Sequence, residues 1–93
     1  METKRILIAD DEPLIRKLVK DFLKKEGFTV IEAEDGKEAI DMFNENKGKL
    51  DLVILDVMMP IYDGWSVCRE IRKTSDIPIL IIFAFLFIKF SFT

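Results

Sequence analysis

Three aspartates stand at the positions where this sequence could carry out chemistry. Asp10 and Asp11 follow the apolar run 6–9, and Asp56 follows the apolar run 52–55. Each run has the length and the β-branched content of a buried strand, without polar alternation. Because ligands of open α/β sheets bind at the carboxyl ends of the strands, we expect the three acids to share one crevice.

Three neighbouring carboxylates repel one another unless a cation neutralises them. Mg²⁺ binds oxygen at about 2.0–2.1 Å and usually takes one or two carboxylates together with waters and phosphate oxygens. With positions left open for a phosphoryl donor, one aspartate could act as a nucleophile and form an acyl phosphate. The acids therefore predict a magnesium site with phosphoryl-transfer chemistry.

The rest of the chain alternates between strand and helix patterns. Strands are predicted at 5–10, 28–33, 51–56 and from Pro78 onward, with helices from Pro13, after Asp35-Gly36 and near 65–73. This order is typical of right-handed crossovers in a parallel sheet.

The first predicted helix is amphipathic and ends at Gly27. Its apolar stripe consists of Leu14, Ile15, Leu18, Val19, Phe22 and Leu23. Its basic residues are predicted to form a solvated face: Arg16, Lys17, Lys20, Lys24 and Lys25.

Composition limits the classes of function. The 93 residues predict one domain, 1–93, and the net charge of −3 argues against nucleic acid as a partner of this domain. A single cysteine, Cys68, excludes an internal disulfide and, with no histidine, makes a zinc site untenable.

The sequence predicts neither a secretory signal nor a membrane-spanning helix. Only four apolar residues follow the charged start, which is too few for a secretory signal. The apolar stretch 77–88 is shorter than the roughly 20 residues of a spanning helix and contains Pro78. We therefore expect no membrane association and a cytoplasmic location.

Residues 6–13 (ILIADDEP) and 51–60 (DLVILDVMMP), followed by Asp63-Gly64, resemble a response-regulator receiver domain of two-component signalling. The resemblance covers residues 4–82. It implies a flavodoxin-like (CheY-like) doubly wound parallel sheet of order 2-1-3-4-5, with helices on both faces. In this chain, that fold would be incomplete at its C-terminus.

The resemblance also implies roles for individual residues. Asp56 would accept the phosphoryl group from a sensor histidine kinase. Asp11 would ligate Mg²⁺ directly, Asp10 through water or by orienting it, and Met58 through its backbone carbonyl. The residues Pro60 and Gly64 would shape the adjacent loop. The domain would be a phosphoacceptor, not an enzyme that turns over external substrates.

The chain departs from the family pattern after residue 82. Phe83 stands where family members place a Thr or Ser that donates to the phosphoryl group, and phenylalanine has no donor. The segment 83–93 is rich in phenylalanine, and Lys89 is a candidate for the family's phosphate-contacting lysine. An uncovered sheet face and this apolar tail predict a homodimer or higher oligomer, with exchange of the tail between protomers as one arrangement.

Two alternative functions compete with a working receiver. One is a receiver remnant that folds and oligomerises without a phospho-switch, which Phe83 favours. The other is an Mg²⁺-dependent phosphohydrolase with Asp56 as nucleophile. Phosphatases of the haloacid dehalogenase type resemble it but place a second Asp two residues onward, where this chain has Met58, which cannot transfer a proton.

Overall fold

The computed structural model describes residues 3–83 as a four-stranded parallel sheet with three helices. The elements are β1 (Arg5–Ala9), α1 (Pro13–Lys25), β2 (Thr29–Ala33), α2 (Gly36–Glu45), β3 (Leu52–Asp56), α3 (Gly64–Arg72) and β4 (Ile79–Ile82). The strand order is β2-β1-β3-β4. The predicted alternation is confirmed, and the strand boundaries agree with the prediction to within one residue. The candidate Lys89 lies outside the described residues.

One face of the sheet packs against α2 and α3 and forms the larger core. Leu7, Val53 and Leu55 from the strands are fully buried there. From the helices, Phe43 and Val67 pack into the same cluster. Each large apolar side chain removed from water contributes about 1.5–3 kcal/mol, so the burial of this layer stabilises the fold substantially.

The opposite face packs against α1. Its buried core consists of Ile6, Ile8 and Ile54, against which Val19 and Leu23 of α1 are partly buried. Helices therefore cover both faces, which is the doubly wound arrangement predicted from the sequence.

The apolar stripe of α1 is only half covered, which the sequence pattern did not predict. Val19 and Leu23 contact the sheet, whereas Leu14, Leu18 and Phe22 are each more than half exposed. On β4, Leu80 is also 52% exposed. The α1 side of the molecule thus presents several large apolar side chains to solvent. Within residues 3–83, none of the helices combines the length and apolar character needed to cross a membrane.

Candidate metal centre

Two neighbouring strands deliver the acids to one edge of the sheet. In the register of β1 and β3, Ala9 lies opposite Leu55. Asp10 is the next residue after β1, and Asp56 is the last residue of β3. Because the strands are parallel and adjacent, the two carboxyl ends coincide.

The structure brings together the three aspartates that the sequence singled out. Oxygens from Asp10, Asp11 and Asp56 lie within 4.8 Å of one another. The side chains of Asp10 and Asp56 are fully buried, whereas Asp11 is exposed. The cluster therefore has two acids at its base and one at its solvent side.

Among residues 3–83, most of the buried carboxylate oxygens have no hydrogen-bond partner. Asp10 Oδ1 accepts a hydrogen bond from the Glu12 N–H at 2.9 Å. No hydrogen bond reaches Asp10 Oδ2 or either side-chain oxygen of Asp56 from the described residues. Buried polar atoms without partners are costly. Three such oxygens beside the solvent-facing Asp11 match the donor set that a hard divalent cation such as Mg²⁺ requires.

Burial and nearby negative charge raise the pKa of two of these groups, Asp10 and Asp56. Burial is the largest cause that raises the pKa of Asp10 to about 6, and the charges of Asp56 and Asp11 add to it. Burial also raises the pKa of Asp56, with a further contribution from Asp11. The Met58 and Val57 N–H groups oppose this rise in the Asp56 pKa without reaching hydrogen-bond geometry. A bound cation would favour the ionised forms of both acids.

The loop between β3 and α3 is held close to Asp56. A methyl group at Gly64 would lie 2.5 Å from the Asp56 carbonyl oxygen, so that only glycine fits there. The Gly64 N–H also donates to the Val57 carbonyl at 3.0 Å. On the other side of the loop, Pro60 O accepts a hydrogen bond from Tyr62 N at 2.9 Å. The loop-shaping roles of Pro60 and Gly64 stay predictions.

A cavity of about 520 Å³ opens beside the acids. Its lining residues are Asp11, Val57, Met58, Met59, Pro60 and Asp63. Met58 is expected to contribute its backbone carbonyl to metal binding. Its side chain is 48% exposed. The cavity provides space for a phosphoryl donor next to the carboxylates.

Phe83 follows β4 at the same edge of the sheet. Its ring packs edge-on against Trp65 of α3, with centroids 6.4 Å apart. The neighbouring Ile82 accepts a hydrogen bond from Val57 N at 3.0 Å, which ties the end of β4 to the residue after Asp56. An apolar ring therefore occupies the position where the resemblance expects a hydroxyl donor.

The sequence analysis missed a basic network behind the acids. Arg16 Nη1 donates to the Asp10 carbonyl at 2.6 Å, and Arg16 Nε donates to Glu32 at 3.1 Å. Lys20 Nζ bonds the second Glu32 oxygen at 3.1 Å. The prediction that these two basic residues belong to a solvated face was wrong, since their side chains are only 15% and 28% exposed. Their i, i+4 spacing on α1 opposite an acid in β2 was the available signal.

A second acidic group, Glu34, Asp35 and Glu38, has an ordinary structural explanation. Asp35 is the N-cap of α2, and its Oδ1 accepts from Glu38 N at 2.7 Å. This cap satisfies a free helix N–H group. The acids at the ends of β1 and β3 therefore stay the candidate metal centre.

Comparison with known proteins identifies the family. The response regulator receiver domain family matches residues 6–86. The chain belongs to this family. It is 48% identical over 85 residues to a probable transcriptional regulator, ycf27, of Guillardia theta, covering 90% of this chain and 33% of that protein. An uncharacterized transcriptional regulatory protein of Bacillus subtilis, YrkP, is 44% identical over 80 residues, covering 86% and 33%. The chain thus spans about a third of the length of these relatives.

This chain has the same fold as solved receiver-domain structures. The response regulator TrrA from Thermotoga maritima, in complex with Mg(2+)-BeF, is 48% identical with a TM-score of 0.79, covering 85% of this chain and 68% of that one. A structure of the histidine kinase ThkA in complex with TrrA gives a TM-score of 0.77, with 85% and 67% coverage. A receiver domain protein from Clostridium thermocellum gives 0.81 at 35% identity, with 84% and 63% coverage. The receiver fold predicted from the sequence is confirmed.

Proposed function

We propose that this receiver domain accepts a phosphoryl group on Asp56 from a histidine kinase in an Mg²⁺-dependent reaction. The main support is the cluster of three carboxylates within 4.8 Å, whose buried oxygens lack partners in the part of the chain that the structure describes. Asp10, Asp11, Asp56 and the Met58 carbonyl would hold the ion. The proposal treats residues 1–93 as a single receiver-like unit, and the expected cytoplasmic location belongs to it.

The chain's own residues supply the nucleophile. In the transfer, an Asp56 side-chain oxygen forms a bond to phosphorus as the bond from phosphorus to the donor imidazole nitrogen breaks, and the electron pair leaves with that nitrogen. When bound, Mg²⁺ offsets negative charge on the transferring group. The product acyl phosphate carries about −1.5 to −2 charges at the end of β3, in place of the single charge of the ionised Asp56 carboxylate. Such a charge can bias a conformational equilibrium.

The proposed partner is a sensor histidine kinase. The complex of TrrA with a histidine kinase, at 48% identity, supports this partner. The exposed apolar residues of α1 also support it, because Leu14 and Leu18 belong to the helix that begins beside Asp11. We do not propose nucleic acid as a partner, given the acidic net charge of −3.

Intact mass spectrometry tests the phosphoacceptor role. The metal-stripped protein is incubated with acetyl phosphate, with and without Mg²⁺, alongside Asp56→Asn and, as a matched control, the exposed Asp76→Asn. We expect one phosphoryl adduct in wild type and Asp76→Asn, only with Mg²⁺, and none in Asp56→Asn. An adduct that persists in Asp56→Asn would place the acceptor elsewhere and contradict the proposal.

A second candidate function is a receiver that lacks a coupled switch. Phe83, packed against Trp65, favours it because the ring cannot donate a hydrogen bond to a phosphorylated Asp56. This candidate predicts an adduct that leaves Trp65 fluorescence and the oligomeric state unchanged. A phosphohydrolase is not favoured, since Met58 stands where a general acid would be needed.

Self-association belongs to the proposal as well. The exposed Leu80 and Phe83 lie at and beyond the β4 edge of the described sheet, and the apolar segment 84–93 continues from there. We propose a homodimer or higher oligomer formed through this surface, with exchange of the tail as one arrangement.

A further inference from the structure

The side chain of Arg16 joins three segments behind the acids. Its guanidinium donates to the carbonyl oxygen of Asp10 at 2.6 Å and to Glu32 Oε1 on β2 at 3.1 Å. The planar, forked guanidinium can satisfy both acceptors at fixed geometry, which a lysine ammonium does not reproduce. Lys20 bonds the other Glu32 oxygen at 3.1 Å but does not contact the Asp10 carbonyl. The Asp10 carbonyl is therefore linked to β2 through Arg16.

The turn that carries the acids has little other support from α1. The N-cap Glu12 makes no side-chain capping bond, and Pro13 has no N–H to donate. The turn is held by Glu12 N to Asp10 Oδ1 at 2.9 Å and by Arg16 N to Glu12 O at 3.0 Å. Arg16 thus closes the turn through its backbone and through its side chain.

We propose that Arg16, oriented by Glu32, is a positioning residue that holds the Asp10–Asp11 turn in the geometry that binds the divalent ion. This inference rests on the proposed function and deepens it. The Asp10 N–H is bonded to Ala33 O, Oδ1 to Glu12 N and the carbonyl to Arg16, which leaves Oδ2 as the polar atom of Asp10 without a partner among the described residues. Arg16 fixes the backbone from which that oxygen is presented.

A positioning role for Arg16 and a purely electrostatic effect of its charge predict opposite changes in Mg²⁺ affinity. A cation near a cation site repels the ion, so that removing Arg16 would strengthen Mg²⁺ binding if its charge alone mattered. If Arg16 positions the turn, its removal disorders the acids and weakens binding. Partners behind metal ligands commonly change metal affinity by about 10–100-fold when they are mutated.

Calorimetric titration of the metal-stripped full chain with Mg²⁺ distinguishes the positioning role of Arg16 from the electrostatic effect of its charge. We expect the Kd of Arg16→Gln to rise about tenfold, at the lower end of that range. The matched control Lys20→Gln removes one charge from the same Glu32 and should leave the Kd unchanged or slightly lower. Arg16→Lys retains the charge and most of the stem, and we expect it to weaken binding too. An Arg16→Gln Kd equal to or below that of wild type would overturn the inference.

Hydrogen exchange in EDTA gives a readout that needs no metal. We expect the Glu12 amide to exchange about tenfold faster in Arg16→Gln than in wild type, because its acceptor Asp10 is less firmly held. Lys20→Gln should match wild type. If wild type takes up no Mg²⁺, the proposed function fails while the Glu12 exchange rate still decides the role of Arg16. An unchanged rate in both Arg16→Gln and Arg16→Lys would contradict that role.

Discussion

Asp10 is a buried acid whose ionisation works against the metal-free fold. Burial, and then the charges of Asp56 and Asp11, raise its pKa from 3.8 to about 6. The native state therefore holds a proton that the unfolded state releases at lower pH. By linkage, this group stabilises the fold fully below about pH 4, and that contribution is lost as pH rises through about 6.

The first prediction concerns Asp10→Asn in metal-free buffer. Because the amide cannot ionise, we expect the free energy of unfolding at pH 7 to exceed that of wild type by about 2 kcal/mol. The difference should shrink toward zero as pH falls from about 6 to about 4. Urea denaturation in EDTA from pH 4 to pH 7 measures the difference in the free energy of unfolding between the variant and wild type.

The exposed Asp76→Asn is the control, because its carboxylate lies outside the cluster. A difference between Asp10→Asn and wild type that stays constant from pH 4 to pH 7, or a variant less stable than wild type at pH 7, would argue against a strained acid at position 10.

The sequence predicts the acids but not their support. Asp10 and Asp56 are readable because each ends an apolar run, and parallel strands bring such ends together. The hydrogen bond of Arg16 to the Asp10 carbonyl depends on where β2 places Glu32, a contact between residues 16 positions apart. A basic residue at this position of an amphipathic helix gives the same sequence pattern whether its side chain is solvated or paired with an acid.

At the scale of elements, α1 is attached to the sheet by only half of its apolar stripe. Val19 and Leu23 pack on the β1–β3 core, whereas Leu18 is 57% exposed. We predict that Val19→Ala lowers the free energy of unfolding by about 1–2 kcal/mol, since it leaves a gap against the sheet. Leu18→Ala should change it by less than about 0.5 kcal/mol. Urea denaturation of both variants measures the contrast.

Equal losses in the two variants would mean that Leu18 is covered in solution, by the tail or by a second copy. A larger loss for Leu18→Ala than for Val19→Ala would contradict the placement of α1 itself. Helical periodicity identifies the apolar stripe but not its covered half, because coverage depends on which neighbouring elements reach it.

The loop between β3 and α3 contains a strained residue. Ile61 has a φ of 73°, a left-handed conformation that is unfavourable for a β-branched side chain, and it is 66% exposed. We predict that Ile61→Asn raises the free energy of unfolding by about 1 kcal/mol, because asparagine tolerates this conformation. Thermal or urea unfolding measures it.

The matched control is Ile61→Thr, which is polar but still β-branched, and it should give no comparable gain. An equal gain in both variants would attribute the effect to polarity instead of backbone strain. The Pro60 and Asp63-Gly64 pattern predicts a loop here, but it does not predict the left-handed φ angle of Ile61.

Across the whole domain, the exposed apolar surface at β4 predicts self-association. Leu80 on the outer strand β4 lies opposite Ile54 in register and is 52% exposed. We predict that the wild-type chain is a dimer or larger at micromolar concentration, and that Leu80→Lys shifts it toward the monomer by placing a charge in the interface. Light scattering coupled to size exclusion measures the mass.

Thr74→Lys adds the same charge at an exposed polar position and should leave the mass unchanged. A folded wild-type monomer at this concentration would speak against the oligomer. The apolar tail and the expected uncovered sheet face predict such a surface from the sequence, whereas its location on β4 required the structure.

If Asp10, Asp11 and Asp56 together bind one divalent ion, a calorimetric titration of the metal-stripped chain with Mg²⁺ will show it. We expect uptake of one ion by wild type and by Asp76→Asn, with binding much weakened in Asp11→Asn and Asp56→Asn. Equal uptake in all four proteins, or no uptake by wild type, would contradict it.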